Sequence, residues 1–403
     1  MAKISTHRAI LGFIAIFCSG LGLGVRAADA QSTEQLQGYY TVKPLTGMTK
    51  AQVASAVVSS TTIPMWNYSI TSPVNGLTYT GSMVGRSPFY NGMRTTTIQV
   101  YLIPTIIKTP DGKTFDPTIA DTCLGGKVPT TLFQQSPLFN NASYSMNGVN
   151  VGTTQYVDAF QRASFYSSPG NVSATGDRYH TLLNVTTLSP ITITIPSGLG
   201  TSGLYSGACN GVSQSMRLGI VDYSTLDSAI KAQITALSSS GVGPTSFPIF
   251  LMHNVVQAAP FVSSSPTNNC CILGYHGAYG TLASLQTYSP LDFDSTELFN
   301  LSAHADNTTA SHEVGEWMDD PLGTNPTPSW GHIGQVSGCQ TNLEVGDPLS
   351  GTNFTSVLMP NGTTYDLQEL AFYSWFFRQS PSIGSGGKYS NNGTFTTTQA
   401  VCS

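Results

Sequence analysis

From Gln31 to about Gly219 the hydrophobic and polar positions read mostly as β-strands and turns. Ile191, Ile193 and Ile195 alternate with threonines, the pattern of a half-buried strand. The run from Thr96 to Lys108 is rich in β-branched and aromatic residues and meets a Pro110-Asp111-Gly112 turn. Two helices interrupt this pattern, over 49–59 and 156–165. After Gly219 the pattern changes to alternating helix and strand. Leu226, Ala229, Ile230, Ile234 and Leu237 recur at helical spacing, with Ser224 and Asp227 placed as a capping pair. Strands are predicted over 247–256, 272–279 and 285–291. A helix follows from Asn307 or Thr308, both good caps, and must stop before Pro321, which disfavours helical geometry at Asp320. A last helix is predicted from about Asp366 to Arg378; its apolar residues lie all round, so it should be buried.

The fold class that follows is α+β: a β-rich accessory region over residues 31–220, then an α/β domain over 221–403. The N-terminus adds a targeting segment. Lys3 and Arg8 precede an apolar run from Ala9 to Val25, and Ala28-Asp29-Ala30 forms a small-x-small cleavage site, so residues 1–30 read as a secretory signal. The run is short for a bilayer span, and no later segment is long and apolar enough, so stable membrane insertion is not expected. The chain should be exported, secreted or periplasmic.

Removing that signal leaves 13 basic and 20 acidic residues, a balance that argues against a nucleic-acid partner. It also leaves six cysteines, Cys123, Cys209, Cys270, Cys271, Cys339 and Cys402. No C-x-x-C pair is present, and export permits disulfides, so three bridges are expected. Spacing cannot choose the pairing.

The candidate chemistry lies on the segment from Ser311 to Pro321, whose sequence is SHEVGEWMDDP. On a helix, His312 and Glu316 share a face and Glu313 lies about a quarter-turn round, so two ligands and a base could serve one ion. In the zinc-protease signature H-E-x-x-H, two histidines hold the metal and the glutamate deprotonates a water. Here Glu316 replaces the second histidine. The surroundings favour a cation. Between Lys231 and Arg378 there is no lysine or arginine, against seven aspartates and five glutamates. Bound metal would supply the missing positive charge; a solvated acidic surface would need none. The helix also carries local costs, with Gly315 in its interior and Asp319 and Asp320 at the C-terminal end of its dipole. Gly315 implies close approach of a backbone, a substrate or a crossing helix. Asp319, seven residues after His312, could orient its imidazole.

His312-Glu313-x-x-Glu316, the following Asp320-Pro321, and the later Glu344-Val345-Gly346-Asp347 together resemble a group of exported bacterial zincin-like metallopeptidases with an H-E-x-x-E core. A lesser likeness, through Cys270, Cys271 and Tyr275-His276-Gly277, is to the secreted phosphate-induced or EXORDIUM-type proteins. The resemblance implies a zincin-like metallohydrolase domain acting on a peptide or protein, with His312 and Glu316 as metal ligands and Glu313 as general base. Glu344 is the choice for third ligand, with Asp347 and His332 as competitors. His276, His332 and Tyr365 are candidates for stabilising the transition state. One histidine with two carboxylates shifts preference towards harder ions, so manganese or another divalent ion competes with zinc. The alternative is a non-catalytic secreted or cell-surface binding protein with a structural or degenerate metal site.

Overall fold

The computed structural model describes residues 36–402, apart from 50–51, 53–60, 91, 169–177, 282, 301 and 303. The signal segment lies outside the described residues, as does nearly all of the helix predicted over 49–59. The described chain is mixed α+β and strand-rich, built on a sheet of eleven strands. At its centre, strand Ser246–His253 runs parallel to both Arg94–Lys108 and Gln286–Phe293. Strand Cys270–Tyr279 pairs antiparallel with Gln286–Phe293, and Tyr39–Lys43 runs parallel along Cys270–Tyr279.

Strands Ser246–His253 and Gln286–Phe293 are buried at every position, so both faces of the sheet must be covered. Alternation decides what covers each. Phe247, Ile249 and Leu251 pack with Ala310, Val314, Trp317 and Met318 of helix Thr308–Asp319. Phe250 and Met252, pointing the other way, pack with Leu226, Ile230 and Ile234 of helix Tyr223–Ala236. The helix bearing His312 is therefore an interior element, buried along its whole length.

Several predicted elements appear, among them the strands at 94–108, 191–194, 270–279 and 286–293 and the helix Tyr156–Ser164. The differences have identifiable causes. Residue 220 is not a break between compact units: strand Arg94–Lys108 sits between Ser246–His253 and Tyr179–Thr187 in one sheet. The change of pattern at 220 reflects local element type, whereas sheet partners are chosen by pairing across the chain. Asp222, not Ser224, caps helix Tyr223–Ala236, accepting from Thr225 N at 2.8 Å. Asp227 turns inward to Lys43, Lys231 and the hydroxyls of Tyr275 and Tyr288. The strand predicted over 247–256 breaks at Asn254, whose φ is 56°. Only Tyr373–Phe376 of the last predicted helix is helical. Gln368 N donates to Ser311 Oγ, Leu370 N to Asn391 Oδ1 and Ala371 N to Val345 O, so tertiary partners take the amides a helix would use.

The cysteines pair as Cys123–Cys209, Cys270–Cys271 and Cys339–Cys402. Among the described residues no helix is long and apolar enough to cross a membrane.

Trp317 fixes the helix to the sheet: its ring stacks on Phe247 at 3.8 Å and its Nε1 donates to Thr287 Oγ1 at 3.1 Å. Trp317→Ala should therefore cost about 3–5 kcal/mol of stability. Urea unfolding checks this, and a loss below about 1 kcal/mol would contradict the packing role.

Candidate metal centre

The motif helix places His312, Glu313 and Glu316 towards a loop bearing Glu344 and Asp347, and strand Cys270–Tyr279 adds His276 from the sheet. His276, His312 and Glu313 are fully buried, with Glu316 and Glu344 at most 2 % exposed. Donor atoms of His312, Glu313 and Glu316 fall within 4.8 Å of one another, as do those of His276, Glu316 and Glu344.

The proton positions on both imidazoles follow from their partners. His276 Nε2 lies 3.0 Å from the Asp320 carbonyl oxygen, which can only accept, so Nε2 carries the proton. Burial pulls the His276 pKa down to about 3, so the ring is neutral and Nδ1 keeps a lone pair. Gln368 Nε2 donates to the Gly346 carbonyl at 2.6 Å, which turns its Oε1 towards His312 Nδ1 at 3.0 Å. His312 Nδ1 therefore donates to Gln368, and Nε2 points at Glu316 Oε1, 3.1 Å away, and Asp347 Oδ1, 3.5 Å away. One nitrogen anchored to the protein and the other aimed at carboxylates is how metal-ligating histidines are held.

Among the described residues the carboxylates have no lysine or arginine partner. Their ion partners within 4 Å are the two histidines. His312 Nε2, Glu313 Oε1 and Glu344 Oε2 are buried without a hydrogen bond from the protein. Burial first, and then neighbouring carboxylates, push Glu313, Glu316 and Glu344 well above the usual glutamate range. Burial opposes charge on His312, but Asp347 and Glu313 outweigh it and raise its pKa. A divalent ion would satisfy the orphaned atoms and compensate the charge, so the residues present fit a metal.

Other predicted residues stand elsewhere. Asp319 accepts from Gln161 Nε2, while Gln368 takes the predicted task of orienting His312. Seven residues set the two on one helical side, but a buried polar side chain from the neighbouring helix Tyr156–Ser164 reaches Asp319. His332 is an exposed residue of the hairpin Pro326–Ile333/Val336–Asn342, beside the Cys339–Cys402 bridge, and is not a ligand of this cluster. Tyr365 donates to the Leu132 carbonyl and accepts from Asn361, away from the cluster. Asp320 accepts from Thr324 and Asn325 amides, anchoring the turn after the helix. A side chain at Gly315 would collide with Leu370, so its small size serves packing. A side chain at Gly346 would overlap the His312 ring, so this glycine lets the Glu344-Asp347 loop lie against the imidazole.

Sequence reasoning missed Tyr40, which stacks on His312 at 3.8 Å, as well as Gln335, Gln340 and Gln368. Gln335 and Gln340 donate to the two oxygens of Asp347. Uncharged amides distant in sequence carry no local signal of such roles.

No family model, curated protein or solved structure matches this chain. The site must be read from its own geometry. An open cavity of about 350 Å³ leads onto Glu316, Glu344 and Asp347, with Tyr40, Gln335 and Asn342 in its walls. A larger cleft of about 980 Å³ is lined by Trp66, Tyr68, Phe89 and Tyr90 but by none of the clustered acids or histidines. Of these two cavities, the smaller is the one that borders the clustered acids.

Burial raises Asp319 to about 8 and Asp320 to about 7 from an ordinary value of 3.8. Between those limits the metal-free folded state binds more protons than the unfolded one, so its stability is greatest near pH 4 and falls as pH rises to about 8. Denaturation of chelator-treated protein across that range checks the sign; a rising curve would contradict it.

Proposed function

We propose that the chain is an exported, metal-dependent hydrolase of zincin-like fold, acting on a peptide or protein substrate. The observation that carries this reading is the pair of anchored histidines facing buried carboxylates at the floor of an open cavity. Zinc is the first choice of ion, with manganese the nearest competitor because the donors are mostly oxygens.

His312, Glu316 and Asp347 or Glu344 would hold the ion. A bound divalent ion supplies positive charge that acidifies water and polarises a carbonyl. Glu313 is the general base: it is buried beside His312 and Glu316, and its Oε1 is unpartnered. In peptide hydrolysis it would take a proton from water as the water oxygen attacks the carbonyl carbon. That proton would pass to the amide nitrogen as the C–N bond breaks, giving a carboxylic acid and an amine. His276 Nδ1 lies 3.2 Å from Glu313 Oε2. It is thus closer to the base than the role of transition-state donor requires, and its only proton is committed to Asp320.

The peptide substrate is supported by the walls of the cavity, which lies between strand Tyr39–Lys43 and hairpin strand Val336–Asn342. Extended segments on both sides suit an extended chain.

Glu313→Gln removes the base but preserves shape. It should keep its metal content while hydrolysis of a protein substrate such as casein falls about 10²–10⁴-fold. Unchanged turnover would remove Glu313 from the mechanism, and a wild type that binds metal without hydrolysing any of a broad peptide library would favour a structural site.

A further inference from the structure

Glu316 presents its two oxygens to two different histidines. Oε1 lies 3.1 Å from His312 Nε2, and Oε2 lies 3.8 Å from His276 Nδ1. These are the lone-pair nitrogens left once Gln368 and Asp320 have taken the N–H groups. We infer that the centre holds two divalent ions bridged by the Glu316 carboxylate. The first lies with His312 and Asp347, the second with His276 Nδ1 on the other side of Glu316. This inference extends the hydrolase reading and rests on it for the first ion only.

Three observations converge on it. The donor spacing comes first: an ion about 2.1 Å from a nitrogen and an oxygen in tetrahedral array sets them about 3.4 Å apart. Separations of 3.1 Å on one side of Glu316 and 3.8 Å on the other bracket that value, and 3.8 Å is too long for a hydrogen bond.

Charge comes second. Glu313, Glu316, Glu344 and Asp347 carry four formal negative charges around two histidines, and no lysine or arginine occurs between Lys231 and Arg378. One divalent ion leaves two negative charges in a buried site; two ions leave none. Buried charges require such compensation.

The third observation is the distribution of orphaned atoms. His312 Nε2 lies on the first side, and Glu344 Oε2, also unpartnered, lies 3.8 Å from His276 Nε2. A single ion beside His312 would leave Glu344 Oε2 without a partner. Glu313 reaches both sides: its Oε2 is 3.2 Å from His276 Nδ1, and it belongs to the His312–Glu316 group. It is thus placed to handle the proton of a water lying between two ions, as paired-metal hydrolytic sites require.

The test is metal stoichiometry. The full chain is stripped with chelator, reloaded with Zn²⁺ or Mn²⁺, desalted, and analysed for metal per chain by mass spectrometry. Two ions per chain are expected, and a low-temperature EPR spectrum of the Mn²⁺ form should show exchange coupling between them. His276→Gln keeps a donor for Asp320 and should bind one ion, and His312→Gln should also bind one. A wild-type count of one with an isolated six-line Mn²⁺ spectrum overturns the inference and leaves the single-ion hydrolase standing. Two ions in wild type with two still bound by His276→Gln also overturn it, because the second ion would lie elsewhere. A count of zero overturns both readings. The wild-type count requires no variant to fold, and near-ultraviolet circular dichroism checks that each variant has.

Discussion

The carboxylates of the motif helix are buried in a part of the chain that contains no lysine or arginine, and the rest of the site follows from that constraint. Glu313 and Glu316 are buried, and among the described residues the basic groups beside them are imidazoles. An uncompensated buried charge costs several kcal/mol, more than half the net stability of many domains. Protons can supply compensation in the metal-free state, which explains the upward shift of all three clustered glutamates. Divalent ions can supply it with chemical consequences. The fold therefore concentrates charge where a cation would do most.

Such a site is useful only if its ligands are held still. Trp317 and Val314 fix the helix against the sheet, and Gln368 links the His312 ring to the Gly346 carbonyl. Tyr40 covers the ring face, and the amides of Gly346 and Asp347 donate to Glu316 Oε1. The β-rich first part of the chain contributes to this packing. It supplies Tyr40, central strand Arg94–Lys108, and Gln161, which satisfies Asp319.

Local patterns were readable from the sequence wherever one periodicity dominated. Thr308–Asp319 was legible because Pro321 stops it, although Asn307 makes no side-chain cap and Asp306 accepts from Thr308 N instead; Arg94–Lys108 was legible from its β-branched run. Glu344 and Asp347 stood out because acids are few and basic residues absent. What stayed hidden depends on pairing between distant segments. Gln335 meets Tyr40 across 295 residues, and the strands on either side of residue 220 merge into one sheet. The segment after Asp366 looked helical because it is apolar all round. That property reflects burial, and its amides were already claimed by Ser311, Asn391 and Val345. His276 was recognised as a candidate, but its place opposite His312 across Glu316 is a property of the sheet register.

The most direct measurement is an anomalous-difference map from crystals of the metal-loaded chain, recorded on both sides of the metal absorption edge. The account predicts anomalous density within bonding distance of His312 Nε2 and Glu316. An edge-independent map with no peak there, and carboxyl groups hydrogen-bonded directly to one another, would contradict it.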